Sequence, residues 1–204
     1  MEKQQIFYIH GGSAYSNYSD FLAYLRNKEL RDLPGVEPIK KWTGMFHEDL
    51  GESFEVFMPS MPNSQNAKYE EWKIWFERYF KYLQDEVILV GWSLGGYFLV
   101  KYLLENKTPF TITALLLLAA PFENDDFGGE DGGDFAFDTQ RIATLAEKTA
   151  KIYILHSKDD PIVPYVHAER YKEMLSQAEL VTFTDRNHFL VGQFPELLQI
   201  IRQI

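Results

Sequence analysis

The sequence predicts an α/β fold, a three-layer α/β/α sandwich built on a mostly parallel sheet of six strands. Two observations carry this. Six short runs rich in Val, Ile, Leu and aromatic residues recur along the chain, and several are apolar without alternation, as strands covered on both faces must be. Amphipathic stretches separate them, and alternation of strand with helix implies right-handed crossovers and helices on both faces of one sheet.

The first run, Gln5–Ile9, leads into His10-Gly11-Gly12-Ser13, and Tyr18–Asn27 then reads as a helix. A long connection over Pro34–Ser53 contains two prolines and a Lys40-Lys41-Trp42 patch before the second strand, Phe54–Phe57. In the next helix, Tyr69–Leu83, Trp72, Trp75, Phe76, Tyr79 and Phe80 recur at helical spacing and form one broad apolar face, which we read as core. Val87–Val90 is the third strand, followed by a helix over Leu94–Glu105; Ile112–Ala119 is the fourth. A Gly- and Asp-rich segment, Pro121–Thr139, precedes a helix at Gln140–Lys148. Strand Lys151–Leu155, helix Val166–Ser176, strand Leu180–Thr184 and helix Pro195–Arg202 complete the pattern, read as one domain over residues 1–204. Long segments such as 34–53 and 121–139 in a compact domain tend to be functional or mobile, so both are candidate lids.

Composition excludes several functions. The chain has 204 residues and a formal charge of −10, which disfavours nucleic acid or an anionic membrane as partner. It has no cysteine, so disulfides, thiolate catalysis and Cys-based metal sites are excluded. No apolar run is long enough to span a bilayer, and the N-terminal residues lack a leader pattern; a cytoplasmic location is expected. The charge is uneven. Glu123, Asp125, Asp126, Glu130, Asp131, Asp134 and Asp138 give residues 121–140 a charge of −7, with no Lys or Arg among them. A solvated loop is the favoured reading over a cation-binding one.

The third strand runs into Gly91-Trp92-Ser93-Leu94-Gly95-Gly96 and then a helix. This is G-x-S-x-G in a strand–turn–helix setting, where a strained serine projects its hydroxyl above the sheet and flanking glycines let strand and helix approach. A serine hydroxyl needs a base to become a nucleophile, and the base needs an orienting acid. An Asp and then a His, each beyond a later strand, are therefore expected downstream. His156-Ser157-Lys158-Asp159-Asp160-Pro161 follows the fifth strand, and Asp185-Arg186-Asn187-His188-Phe189 follows the sixth. Asp159 competes with Asp160 for the acid. His10 and His156 end strands and read as residues supporting the site; His167 falls in a helix and is expected to be solvated, and His47 lies in the long connection. The five histidines show no metal-ligand spacing, so neither metal nor cofactor is expected. The backbone N–H groups of Leu94 and Gly12 are the candidate oxyanion donors. Tyr15, Trp92, Phe122 and Phe189 are candidates for an apolar pocket.

These motifs resemble those of the α/β-hydrolase family, in particular its small serine hydrolases without a cap domain. The resemblance rests on Ile9-His10-Gly11-Gly12, Gly91-Trp92-Ser93-Leu94-Gly95-Gly96, Asp160-Pro161-Ile162-Val163-Pro164 and Asn187-His188-Phe189. It implies strand order 2-1-3-4-5-6, a triad of Ser93, Asp160 and His188, and the aspartate directly before Pro161 as the acid. It also marks two departures: Trp92 stands where the family often has histidine, and the first strand here corresponds to the family's third. The implied activity is hydrolysis of an ester, thioester or amide of a small molecule or peptide. The same triad also serves acyl transfer and perhydrolysis. The competing class is a protein-interaction module that keeps the fold, using its aromatic residues, 16% of the chain, as a binding face.

Overall fold

The computed structural model describes residues 3–30, 33–35, 40–124 and 131–204. Six parallel strands form one sheet in the order β2-β1-β3-β4-β5-β6: β1 (Gln4–Ile9), β2 (Phe54–Phe57), β3 (Val87–Trp92), β4 (Ile112–Leu118), β5 (Lys151–Ser157) and β6 (Glu179–Phe183). The helices are α1 (Tyr18–Asn27), α2 (Phe46–Leu50), α3 (Tyr69–Glu77), α4 (Leu94–Glu105), α5 (Val166–Met174) and α6 (Pro195–Arg202). The expected fold class and strand order are both observed.

The absence of alternation in the strand sequences is explained by two separate cores. Phe7, Ile9, Leu89, Leu115, Leu117 and Ile154 face one side, where α3, α4 and α5 contribute Trp72, Phe76, Phe98, Tyr102 and Tyr171. Ile6, Tyr8, Ile88, Val90, Leu116 and Leu118 face the other, beneath Trp42, Phe46, Leu50, Leu197 and Ile201. Successive residues of a strand point to opposite faces, so a strand covered twice is apolar at every position. Every residue of β3 is buried.

Three elements differ from expectation. The helix read over Tyr69–Leu83 ends at Glu77 and tightens into a 3₁₀ turn at Phe80–Tyr82. This turn sets Phe80 edge-on to Phe76, Tyr102 and Phe110. The helix read over Gln140–Lys148 is a 3₁₀ helix, Thr139–Glu147, whose buried residues Ile142 and Leu145 sit three apart, the period of that helix. Asp138 caps it by accepting the N–H of Gln140 at 3.0 Å. The connection 34–53 contains a 3₁₀ turn at Trp42–Gly44 and the helix α2. Trp42, Phe46 and Leu50 recur every four residues and bury that face against the sheet.

Candidate active site

Ser93 sits between β3 and α4 with φ 54° and ψ −123°, a conformation that costs a residue with a Cβ of order 1–3 kcal/mol. Packing enforces it. A Cβ on Gly91 would lie 2.5 Å from Gly96 Cα, and one on Gly95 would run into the carbonyl oxygen of Ile9. The Ser93 N–H donates to Leu118 O at 2.8 Å, while Gly96 and Tyr97 donate to its carbonyl at 2.9 and 3.1 Å. The backbone thus caps α4, and the Ser93 side chain makes no capping bond. An ordinary helix-capping serine would use its hydroxyl there.

Asp160 and His188 come together from the loops after β5 and β6. The sheet register sets Ser157 beside Phe183, so the two loops leave the same edge. His188 Nδ1 lies 2.7 Å from Asp160 Oδ2, and the Asp160 side chain is fully enclosed. Asp160 Oδ1 accepts the N–H groups of Ile162 and Val163 at 2.8 and 3.0 Å. Burial pushes the Asp160 pKa up, but hydrogen bonds from His156 and His188, the His188 charge and the Ile162 N–H outweigh it. The carboxyl is held well below the usual carboxylate range.

Asp159 faces elsewhere. It accepts the Ser157 hydroxyl, which lowers its pKa, and the Asn187 N–H at 2.9 Å. Ser157 Oγ in turn accepts the Arg186 N–H at 3.0 Å. This pair staples the His188 loop to the end of β5. The loop is tightly wound, with Asn187 and Phe189 at φ 53° and 56°. Trp92 Nε1 donates to His188 O at 3.0 Å, so the residue before the serine also holds the loop that bears the histidine.

The two supporting histidines are placed as expected. His10 Nε2 accepts the Met61 N–H at 2.8 Å, so its Nδ1 carries the proton and donates to Gly11 O at 2.6 Å. His156 is buried; its Nε2 lies 2.8 Å from Val163 O and 3.5 Å from Asp160 Oδ2. His167 departs from expectation. It is fully buried and its Nδ1 accepts the Phe122 N–H at 3.0 Å, because the chain after β4 folds back over α5.

A cavity of about 640 Å³ opens over Ser93 and His188, with Gly11, Gly12, Trp92 and Leu94 in its wall. The N–H groups of Gly12 and Leu94 are donated to no described residue. A Cβ on Gly12 would lie 2.6 Å from Ser64 O, so only glycine lets the loop pass there. Of the four aromatic candidates for the pocket, Trp92 alone lines it. Tyr15 packs on Phe21 and Tyr24, Phe122 on Tyr171, and Phe189 on Phe183 and Phe194 in the opposite core. Three buried rings next to the sequence motifs are held by packing, which a linear motif does not encode.

The acidic segment is largely tied down where it is described. Asp131 accepts the N–H groups of Ser16 at 2.9 Å and Gly133 at 3.0 Å, Asp134 accepts that of Tyr69 at 3.0 Å, and Glu123 pairs with Arg170. Asp125, Asp126 and Glu130 lie outside the described residues. Among the described residues no group of three or more His, Asp or Glu is arranged to hold a metal, and no helix is long and apolar enough to cross a membrane.

Sheet order and topology define the α/β-hydrolase fold. Among solved structures, the ydeN gene product of B. subtilis superposes with a TM-score of 0.70 at 18% identity, covering 98% of both chains. A monoacylglycerol lipase of Paleococcus ferrophilus gives 0.61 at 14% identity, over 100% of this chain and 95% of its own. A profile of the serine hydrolase family matches residues 34–201, and the chain belongs to that family. It is 25% identical to the serine hydrolase RBBP9 of Rattus norvegicus over 168 residues, 80% of this chain and 86% of that protein.

Proposed function

We propose that this hydrolase cleaves a carboxylic ester, or a related thioester or amide, of a small molecule or peptide through an acyl-enzyme on Ser93. The observation that carries this reading is the enclosed Asp160 carboxylate 2.7 Å from His188 Nδ1, with His188 and Ser93 in the wall of one cavity. A carboxylate on Nδ1 leaves Nε2 as the free basic nitrogen of the ring.

In the reaction, His188 Nε2 removes the Ser93 hydroxyl proton as Oγ attacks the carbonyl carbon. The negative charge that forms on the carbonyl oxygen is met by the N–H groups of Leu94 and Gly12. His188 then passes the proton to the leaving group, and the acyl–oxygen bond to Ser93 remains. Water, deprotonated by His188, reverses the sequence and releases the acid. Asp160 holds the ring tautomer and stabilises the imidazolium; it stays ionised throughout. No cofactor enters any step.

A fluorophosphonate probe tests the assignment. Ser93 is expected to be the labelled residue, and His188→Ala to abolish labelling in a protein that circular dichroism shows to be folded at the assay temperature. A folded wild-type protein that resists the probe would overturn the reading. A panel of p-nitrophenyl esters of increasing acyl length then measures the reach of the cavity.

A further inference from the structure

One wall of the cavity is built by residues other than Ser93, Asp160 and His188. Trp42 anchors this wall: its backbone N–H donates to Val191 O at 2.9 Å, its indole N–H to Phe189 O at 3.2 Å, and its ring is buried among Tyr8, Phe46, Trp92 and Phe194. The residues flanking Trp42, Lys41 and Thr43, thereby line the cavity beside the His188 loop.

Lys41 is the only Lys, Arg, Asp or Glu among the described residues lining the cavity. Its Nζ lies 5.8 Å from the centroid of the Trp92 ring, and no described carboxylate pairs with it. The other basic side chains in the wall are His10, with both nitrogens engaged, and His188. An exposed cation in the wall of this cavity, with no partner among the described carboxylates, is a local preference for an anion on a chain whose net charge is −10.

A second observation points the same way. Tyr8, at the carboxyl end of β1, lines this cavity and is 3% exposed, yet its hydroxyl has no hydrogen-bond partner among the described residues. A buried phenol normally finds an acceptor. Burial also drives its pKa upward, so it stays a neutral O–H donor. The cavity thus has a cation in its wall and an unmatched donor among its lining residues. A carboxylate is acceptor-only and matches this set. A phosphate is a poorer match, since dianion sites use Arg forks or several cations and this wall has one lysine.

Resting on the serine-hydrolase reading above, we infer that Lys41 and Tyr8 form a subsite for a carboxylate carried by the substrate, so that the preferred substrates are anionic esters. The carboxylate belongs either to the acyl part, as in a half-ester of a dicarboxylic acid, or to the leaving group. Both place one negative charge a few bonds from the scissile carbonyl.

Two substrate pairs separate these sources. Monomethyl glutarate against methyl pentanoate reports an acyl carboxylate; 4-carboxyphenyl acetate against 4-methylphenyl acetate reports one on the leaving group. For one pair the kcat/KM ratio of charged to neutral ester is expected to be about tenfold higher in wild type than in Lys41→Gln. Lys41→Arg should restore most of the ratio, added salt should erode it, and Tyr8→Phe should reduce it severalfold. Equal ratios in wild type and Lys41→Gln for both pairs overturn the subsite and leave the hydrolase reading standing. If fluorophosphonate fails to label Ser93 and none of the esters is cleaved, the hydrolase chemistry falls instead. Calorimetric titration with free glutarate then decides the subsite on its own: binding lost in Lys41→Gln supports it, and binding unchanged or absent in wild type overturns it.

Discussion

At the scale of single residues, two adjacent aspartates divide the work. Asp160 supports the His188 ring and Asp159 supports the backbone of the loop that carries it. Asp160→Asn keeps the shape but offers a donor to Nδ1 and stabilises the wrong tautomer. Turnover is expected to fall by roughly 10³–10⁴-fold, with KM little changed. Asp159→Asn loses part of its hold on Ser157 and Asn187 and is expected to cost about tenfold or less in turnover, through looser placement of His188. Steady-state kinetics on one p-nitrophenyl ester compares the two. An Asp159 variant as damaged as the Asp160 variant would mean that the carboxylates act as a unit. His156 belongs with this pair, because its Nε2 bonds Val163 O at 2.8 Å and lies 3.5 Å from the same carboxylate.

At the scale of elements, the strand–turn–helix junction has no spare room. A methyl on Gly95 meets the backbone carbonyls of Ile9 and His10, and neither is the end of a flexible side chain. Gly95→Ala must push β1 and α4 apart. We expect a loss of about 1–3 kcal/mol in urea unfolding, together with loss of Ser93 labelling, since the same displacement moves the Gly11-Gly12 turn. Gly192→Ala is the control. Its Cβ would meet only Lys40 O at 3.9 Å, and the stability change should stay within about 0.5 kcal/mol. The junction was legible from composition because glycine at fixed offsets from a serine is a steric requirement. The wall built by residues 40–50 was not. Its signal, Trp42, Phe46 and Leu50 at helical spacing, lies in a stretch too short to declare a helix by periodicity.

At the scale of the whole molecule, the enclosed carboxylate couples the site to folding. The folded-state pKa of Asp160 lies below its unfolded value near 3.8, so its contribution to stability is fully present above that value. It is lost as pH falls through the folded pKa. The stability gap between wild type and Asp160→Asn, read from thermal melts, is therefore expected to be widest above about pH 5 and to shrink as the pH is lowered toward 2. A gap that stays constant over that range would mean that the carboxylate is not held ionised by its partners.

What the sequence determined by itself was the order of events along the chain: six strands, their crossovers, a serine at a strained turn, and an aspartate pair and a histidine after the fifth and sixth strands. These are local or topological. Steric rules govern the turn, and the parallel direction of the strands brings every strand's carboxyl end to one edge. Tertiary structure decided matters that depend on which side chain meets which. It separated Asp160 from Asp159, turned Tyr15, Phe122 and Phe189 into core, buried His167, and tied the described carboxylates of the 121–140 segment to neighbouring N–H groups and Arg170. It also carried Lys41 from an undistinguished basic patch into the wall beside the serine. The reason is physical: a strand or a turn is set by neighbours in sequence, whereas partners and exposure are set by packing between segments distant in sequence, from 28 residues for Asp160 and His188 to 147 where Trp42 meets Phe189.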